Sequence, residues 1–154
     1  MIDLTPLAKL PALKHLSLST NAIEPSSLAV LTNLTRLELR DIAISDLTPL
    51  AALTNLTELF LSNSAVSDLT PLATLTNLTE LFLSSPTISD LMPLAALTNL
   101  TLLSLIDTAS SDLTPLAALT NLTLLWLAGN KLIDDSQLAK LQSALPQLKV
   151  SKFG

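Results

Sequence analysis

Residues 46–57 read DLTPLAALTNLT, and residues 112–123 repeat the same twelve letters. Two near copies lie between them, DLTPLATLTNLT from Asp68 and DLMPLAALTNLT from Asp90, so the block recurs every 22 residues. A fixed period of this length indicates a repeat protein in which each unit is one structural coil. Because one coil cannot bury its apolar face alone, the sequence predicts a stack of coils.

Each unit also contains leucines that alternate with other residues. In Leu59-Phe60-Leu61 both leucines point to one face of a short strand and Phe60 points to the other. Stacked coils then form a parallel sheet with the leucines on its buried face. Asp46 is expected to cap a short 3₁₀ or helical turn, its carboxylate accepting a hydrogen bond from the Thr48 N–H. The leucines expected inside this coil are Leu47, Leu50, Leu53, Leu56, Leu59 and Leu61.

The apolar pattern L-x-x-L-x-L-x-x-N-x-L matches the leucine-rich-repeat signature. Together with the phrases SDLTPLAALTNLTELFLS and SDLTPLATLTNLTELFLS, it resembles the repeat of bacterial internalins over residues 3–132. The resemblance implies an α/β leucine-rich-repeat solenoid, with a curved parallel sheet on the concave face and short 3₁₀ or helical turns on the convex face. It also implies a non-enzymatic module that holds a protein partner on the concave face.

The pattern divides the chain into about six coils in 1–132 and a C-terminal cap in 133–154. Three leucines at helical spacing predict a helix over Asp135–Ala144, which Pro146 ends, followed by a last strand over Leu148–Val150. Internalins usually carry a helical cap at the N-terminus, and no comparable segment is visible here. The two interpretations are a trimmed fragment and a stack closed by dimerisation.

The composition excludes several function classes. The chain has 154 residues, a formal net charge of -5, eight Lys and Arg, two Gly and no Cys. These numbers argue against a nucleic-acid surface, a thiolate metal site or disulfide scaffold, and a phosphate-binding loop. No apolar run is long enough for a membrane span, and the first residues do not have the order of a secretory signal. The location stays open: secreted or cell surface if the internalin resemblance carries over, cytoplasmic if this chain is complete.

The strand positions between the leucines vary from coil to coil and form three columns on the concave face. The first column is His15, Arg36, Glu58, Glu80, Leu102 and Leu124. The second column is Ser17, Glu38, Phe60, Phe82, Ser104 and Trp126. The third column is Ser19, Arg40, Ser62, Ser84, Ile106 and Ala128. Three of the four aromatic residues of the chain therefore share the second column.

This arrangement predicts a protein-binding surface. With coils about 4.8 Å apart, Phe60 and Phe82 should stack, and Trp126 should lie about 10 Å further along. Exposed aromatic residues beside a charged rim are typical of an interface hot spot. The predicted anchors are Phe60, Phe82 and Trp126, the flanking apolar contacts are Leu102, Leu124 and Ile106, and the rim is Arg36, Arg40, Glu58 and Glu80.

A second interpretation is an engineered or consensus-like repeat scaffold, or a structural unit that self-associates. The identical twelve-residue blocks fit recent duplication and consensus design equally well. A homodimer could then form through the apolar stripe on the concave face or through the uncapped N-terminus. In the plainest alternative, the aromatic residues only raise strand propensity and cover their neighbours.

The polar residues do not predict catalysis, a metal site or a cofactor. The repeated aspartates supply one carboxylate per coil, whereas hard cations need six to eight oxygen ligands. His15 has no paired nucleophile and orienting acid. Glu58 and Glu80 are neighbours on an open face without a cleft.

The loop after the strand departs from the usual repeat. That loop normally holds an asparagine whose amide satisfies backbone groups of the turn. Only Asn21 and Asn130 keep it, and the four positions between them are Ile42, Ser64, Pro86 and Thr108. We expect these loops to satisfy their backbone groups through water or altered turns.

Overall fold

The computed structural model describes residues 1–19, 23–42, 44–62 and 65–152. Seven strands form one parallel sheet in which each strand pairs with the next along the chain. The strands are β1 (His15–Leu18), β2 (Arg36–Arg40), β3 (Glu58–Ser62), β4 (Glu80–Ser84), β5 (Leu102–Ile106), β6 (Leu124–Trp126) and β7 (Lys149–Ser151). Each coil is named below after its strand, so coil 4 contains β4.

A short 3₁₀ helix precedes each of the first six strands. Their ranges are Thr5–Lys9, Pro25–Val30, Thr48–Ala52, Thr70–Thr74, Met92–Ala96 and Thr114–Ala118. Helix α1 (Asp135–Ala144) has the predicted bounds and packs against the last 3₁₀ helix. Strand β7 begins one residue later than predicted. Within the described ranges, every helix is too short or too polar to cross a membrane.

The repeated aspartate begins each turn much as predicted. The Thr48 N–H donates to Asp46 Oδ1 at 2.8 Å. The cap residue of this 3₁₀ helix is Leu47, however, so Asp46 stands one residue earlier than an N-cap. The difference arises because an aspartate side chain readily bonds the N–H two residues on, which forms an Asx turn. The same contact recurs at Asp3, Asp68, Asp90 and Asp112.

The inner leucines form the core. The six leucines predicted to lie inside coil 3 are all buried, which confirms their assignment. In coil 1, Leu16 and Leu18 are only half-buried, because β1 has a neighbouring strand on one side alone. The strand leucines of coil 1 are therefore less covered than those of coil 3, which has coils stacked on both sides.

In coil 6 the pattern L-x-x-L-x-L-x-x-N-x-L runs from Leu122 to Leu132 and predicts that Leu132 points inward, which is wrong. Leu132 is 58% exposed, and Ile133 takes the buried position instead. The chain leaves the repeat at this point and begins the capping box of α1, in which Asp134 and Gln137 bond each other's backbone N–H. The added turn moves the inward position by one residue.

Two ladders of hydrogen bonds explain why the TNLT part of the repeat is constant. Asn55 Nδ2 donates to the carbonyl oxygen of Thr32, one coil earlier, at 2.8 Å. Thr57 Oγ1 donates to the carbonyl oxygen of Thr35 at 3.1 Å. The amide contact recurs at Asn77, Asn99 and Asn121, and the hydroxyl contact at Thr79, Thr101 and Thr123. These side chains join neighbouring coils outside the strand ladder.

The loop asparagine has the expected role in coil 6. Asn130 Nδ2 donates to the carbonyl oxygens of Leu105 and Ala128 at 2.6 and 3.2 Å, and its Oδ1 accepts from the Thr108 N–H at 3.0 Å. Asn21 and Ser64 lie outside the described residues. Beside Pro86, an altered turn supplies partners: Ser85 Oγ and Thr87 Oγ1 both donate to the Val66 carbonyl.

Candidate functional site

The outer face of the sheet carries the first two columns in the predicted register, and the third column from Arg40 to Ile106. Phe60 pairs with Phe82, Phe82 with Ser104, and Ser104 with Trp126. The leucines on either side of each of these residues face the core, so the second column lies on the opposite, solvent-facing side of the sheet. We call this surface the outer face.

The aromatic residues form a continuous row. The Phe60 and Phe82 ring centroids are 4.3 Å apart with an interplanar angle of 10°, which confirms the predicted stack. The predicted 10 Å gap to Trp126 is wrong, because the Phe82 and Trp126 centroids are only 5.9 Å apart, at 70°. Ser104 stands between them and is small, so the indole leans across coil 5 to reach Phe82.

Ser104 is fully buried in the middle of this row. Its Oγ has no hydrogen-bond partner among the described residues. An unpaired buried hydroxyl costs about 1–3 kcal/mol. The row therefore combines an exposed indole, at 37% accessibility, with an unsatisfied polar atom on the same column.

A charged cluster borders the row on the side of coil 2. Glu38 accepts from Arg36 Nη2 at 2.5 Å and from Arg40 Nη2 at 2.9 Å, while Arg36 also pairs with Glu58. The Arg36 hydrogen bond, with the charges of Arg36 and Arg40, holds the pKa of Glu38 below its ordinary value. The Arg36 guanidinium also lies over the Phe60 ring, with its Cζ 4.6 Å from the centroid.

Glu38 is the centre of this cluster, and the sequence analysis did not include it among the binding residues. The spacing of Glu38 in the sequence could have predicted this role. Glu38 lies two residues from both Arg36 and Arg40 on one strand, so all three side chains share a face. Three of the four predicted rim residues are thus held by Glu38 or by each other.

Glu80 is the exception among the rim residues. It is half-buried and aligned with Glu58 in the neighbouring strand. Within the described ranges its carboxylate has neither a hydrogen bond nor an ion pair. The outer face therefore presents one uncompensated negative charge beside the aromatic row.

The flanking apolar residues lie where the sequence analysis placed them. Leu102 and Leu124 continue the first column beyond Glu80, and Ile106 lies in the third column opposite Ser84. All three are half-buried. A shallow depression of about 240 Å³ runs between the second and third columns. Its lining includes Arg40, Phe60, Phe82, Ser84, Ser104 and Ile106.

The groups considered for metal or acid–base chemistry are dispersed. His15 is exposed on β1. The repeated aspartates accept hydrogen bonds from backbone N–H groups, and the side chain of Thr48 together with its N–H lowers the pKa of Asp46. The equivalent threonines lower the pKa of Asp68 and Asp112 in the same way. Across the described residues, no three His, Cys, Asp or Glu side chains come together in a cluster that could hold a metal ion.

Comparison with known sequences supports this architecture. The profile of the family described as "Leucine Rich repeats (2 copies)" matches residues 32–74 and 54–95. Among curated proteins, none matches the sequence. The profile and the seven-stranded coil architecture together define the class: the chain has the leucine-rich-repeat fold.

Comparison with solved structures shows that this repeat protein is internalin-like. It is similar to an internalin, inlF, of Listeria monocytogenes, with 32% identity and a TM-score of 0.73 over 99% of this chain and 57% of the other. Internalin C2 of the same organism gives 39% identity and a TM-score of 0.79, over 97% and 66%. A leucine-rich-repeat protein of Leptospira interrogans gives 25% and 0.79, over 94% and 38%.

The chain thus spans between about two fifths and two thirds of the length of these relatives. Their source organisms suggest a bacterial origin. Leucine-rich-repeat domains are in general protein–protein interaction modules, and internalin homologues are typically non-enzymatic scaffolds.

Proposed function

We propose that this chain is a non-enzymatic recognition module that binds a protein partner on the outer, concave face of its sheet. The aromatic row of Phe60, Phe82 and Trp126 provides the anchors. Leu102, Leu124 and Ile106 extend the apolar contact, and the charged residues Arg36, Arg40, Glu58 and Glu80 form the rim.

The aromatic row is the observation that carries the proposal. Its three rings contact one another in sequence, so they present one continuous apolar surface rather than isolated side chains. Aromatic residues have few rotatable bonds, and these rings stand on strands whose inner leucines are fully buried. A partner would therefore meet a rigid surface and lose little free energy in ordering it.

The charged cluster around Glu38 supports the same face. Because Arg36 is held by two carboxylates and packs on Phe60, it extends the aromatic row toward coil 2 without a free, mobile side chain. A polar, hydrogen-bonded rim beside an apolar centre is the usual anatomy of a protein interface.

The test compares two substitutions of exposed apolar residues. The double variant F82A/W126A removes two anchors, whereas M92A removes an apolar side chain from the 3₁₀ helix of coil 5, where Met92 is 64% exposed. Proteins retained by the wild-type chain are purified, and each is titrated with the wild-type chain and with both variants.

We expect the double variant to weaken binding of such a partner by about thirtyfold or more, since one hot-spot residue contributes about 2 kcal/mol and two neighbouring ones are not additive. M92A should remain within about threefold of the parent. A double variant that binds within about threefold of the parent contradicts the assignment of the outer face. Circular dichroism of all three proteins checks that the fold is retained.

Self-association is the second candidate function, and a separate observation favours it. In coil 1, Leu10 is 50% exposed, and β1 offers an unpaired strand edge. Sedimentation velocity at micromolar concentration separates the two functions. A dimer that F82A/W126A dissociates uses the outer face, a dimer that it leaves intact uses the coil 1 edge, and a monomer favours an external partner.

A further inference from the structure

The Arg36 site shows how this sheet holds a cation. Its guanidinium lies 4.6 Å over the Phe60 ring and pairs with Glu58, which precedes Phe60 by two residues on the same strand. A cation over an aromatic face is attracted by the ring quadrupole, and a neighbouring carboxylate adds a charge-assisted hydrogen bond. The chain therefore contains a working arrangement of guanidinium, aromatic ring and glutamate.

The next coil repeats two of these three components. Glu80 precedes Phe82 by two residues on β4, as Glu58 precedes Phe60 on β3. Phe82 is stacked against Phe60 on one side and meets Trp126 on the other. The residue equivalent to Arg36 is Glu58 here, so the third component, a cation, is missing among the described residues beside Glu80.

Trp126 supplies the aromatic surface at this point. Its ring stands at 70° to Phe82 and leans over the position of Ser104, which is fully buried. The indole therefore presents exposed surface to solvent above coil 5. Seen from Glu80, that position is one strand along and two residues on, a diagonal that long and aromatic side chains of neighbouring strands can span.

The charges around Glu80 leave it without compensation. Glu58 is paired with Arg36, and the next first-column residues are Leu102 and Leu124. The following residue of that column, Lys149 on β7, is three strand spacings from Glu80, or about 14 Å. The chain as a whole has a net charge of -5, so a basic partner would also be attracted over longer distances.

We infer that the partner protein presents an arginine to the outer face, where its guanidinium stacks on the Trp126 indole and pairs with the Glu80 carboxylate. The inference rests on the proposed function and adds the chemistry of the group recognised. Arginine fits better than an apolar side chain because Glu80 needs a counter-charge, and its planar guanidinium suits both ring and carboxylate.

Trp126 allows a direct test, because it is the only tryptophan and the chain has no tyrosine. Its fluorescence is followed during titration with N-acetyl-arginine methylamide at constant ionic strength. The matched probe is N-acetyl-citrulline methylamide, which has nearly the same shape and no charge. The variants are E80Q and, as a control on an exposed glutamate at the start of the second 3₁₀ helix, E24Q.

We expect the arginine probe to change Trp126 fluorescence saturably, and the citrulline probe to bind at least about fivefold more weakly. E80Q should weaken the arginine probe by about threefold to fivefold, and E24Q by less than about 1.5-fold. Equal affinity for both probes, or equal effects of E80Q and E24Q, overturns the inference.

The two proposals can fail separately. If F82A/W126A abolishes binding of a purified partner while the arginine probe has no effect, the proposed function stands and the arginine inference is overturned. If the probe binds as expected but the partner ignores F82A/W126A, the proposed function is overturned, and with it the statement about the partner.

Discussion

Coils 1 and 4 have the same leucine spacing but different environments. Leu16 and Leu18 of β1 are half-buried, whereas their equivalents in β4, Leu81 and Leu83, are 0% and 2% exposed. The difference comes from stacking, because β4 has a strand on each side and β1 has only β2. In a solenoid, stability is thus a property of neighbouring pairs of coils rather than of the repeat itself.

Coils 1 and 4 also differ in how exposed their residues on the outer face are. Coil 1 presents His15 and Ser17 there, both exposed, whereas coil 4 presents Glu80 and Phe82, both half-buried among neighbouring side chains. The candidate binding residues therefore stand mainly on the coils with the best-covered cores. A surface of this kind holds its geometry because the strands beneath it cannot move independently.

The largest expected effect comes from equivalent leucines in the two coils. We expect L81A to lower the free energy of unfolding by about 3–5 kcal/mol, because it leaves a cavity between two stacked coils. L16A should cost only about 1–2 kcal/mol, because the site is already partly open to water. Chemical denaturation of both variants measures the difference, and equal losses would show that coil 1 is covered in solution.

A smaller difference in the free energy of unfolding is expected between substitutions of a part-buried asparagine and of an exposed one. N130A removes three hydrogen bonds to backbone groups and should cost about 2 kcal/mol. N99A removes a single exposed bond to the Thr76 carbonyl and should cost about 0.5–1 kcal/mol. If N99A costs as much as N130A, the asparagine ladder contributes more to coil stacking than its exposure suggests.

The smallest expected effect is on the pH dependence of stability, and it should be about equal for the repeated aspartates of coils 1 and 4. Hydrogen bonds from Thr5 and Thr70 lower the pKa of Asp3 in coil 1 and of Asp68 in coil 4 below 3.8. A lowered pKa in the folded state contributes stability that is present above the unfolded pKa and is lost as the pH falls through the folded value. Stability should therefore decline below about pH 4.

D3N and D68N should reduce that decline to a similar, small extent, because both residues are exposed. Denaturation series between about pH 2 and pH 6 measure the slope for each variant. A clearly larger change for D68N would mean that the capping contact depends on stacking after all.

Much of the fold could be predicted because the period and the leucine spacing each have one physical interpretation. Alternation in Leu59-Phe60-Leu61 decides which side chains reach the core, and the helical spacing in 135–144 decides where α1 lies. Leu132 was misassigned because periodicity holds only while the repeat continues.

The site was predicted less completely, because side-chain conformation depends on neighbours in other coils. The register predicted the second column, but the lean of Trp126 depends on Ser104 being small enough to leave room for the indole. The sequence likewise placed Glu38 in that column without showing that two arginines would converge on it. Such contacts follow from packing across strands, which a one-dimensional pattern does not specify.

Site-specific cross-linking identifies the face of the sheet that lies against the partner. A photoreactive benzoylphenylalanine is introduced in place of Ser84, beside the aromatic row, or in place of Met92 on the 3₁₀ helix of coil 5. With the purified partner, we expect a cross-linked product from position 84 and none from position 92. A product from position 92 with none from position 84 would mean that the partner binds the side of the 3₁₀ helices and not the outer face.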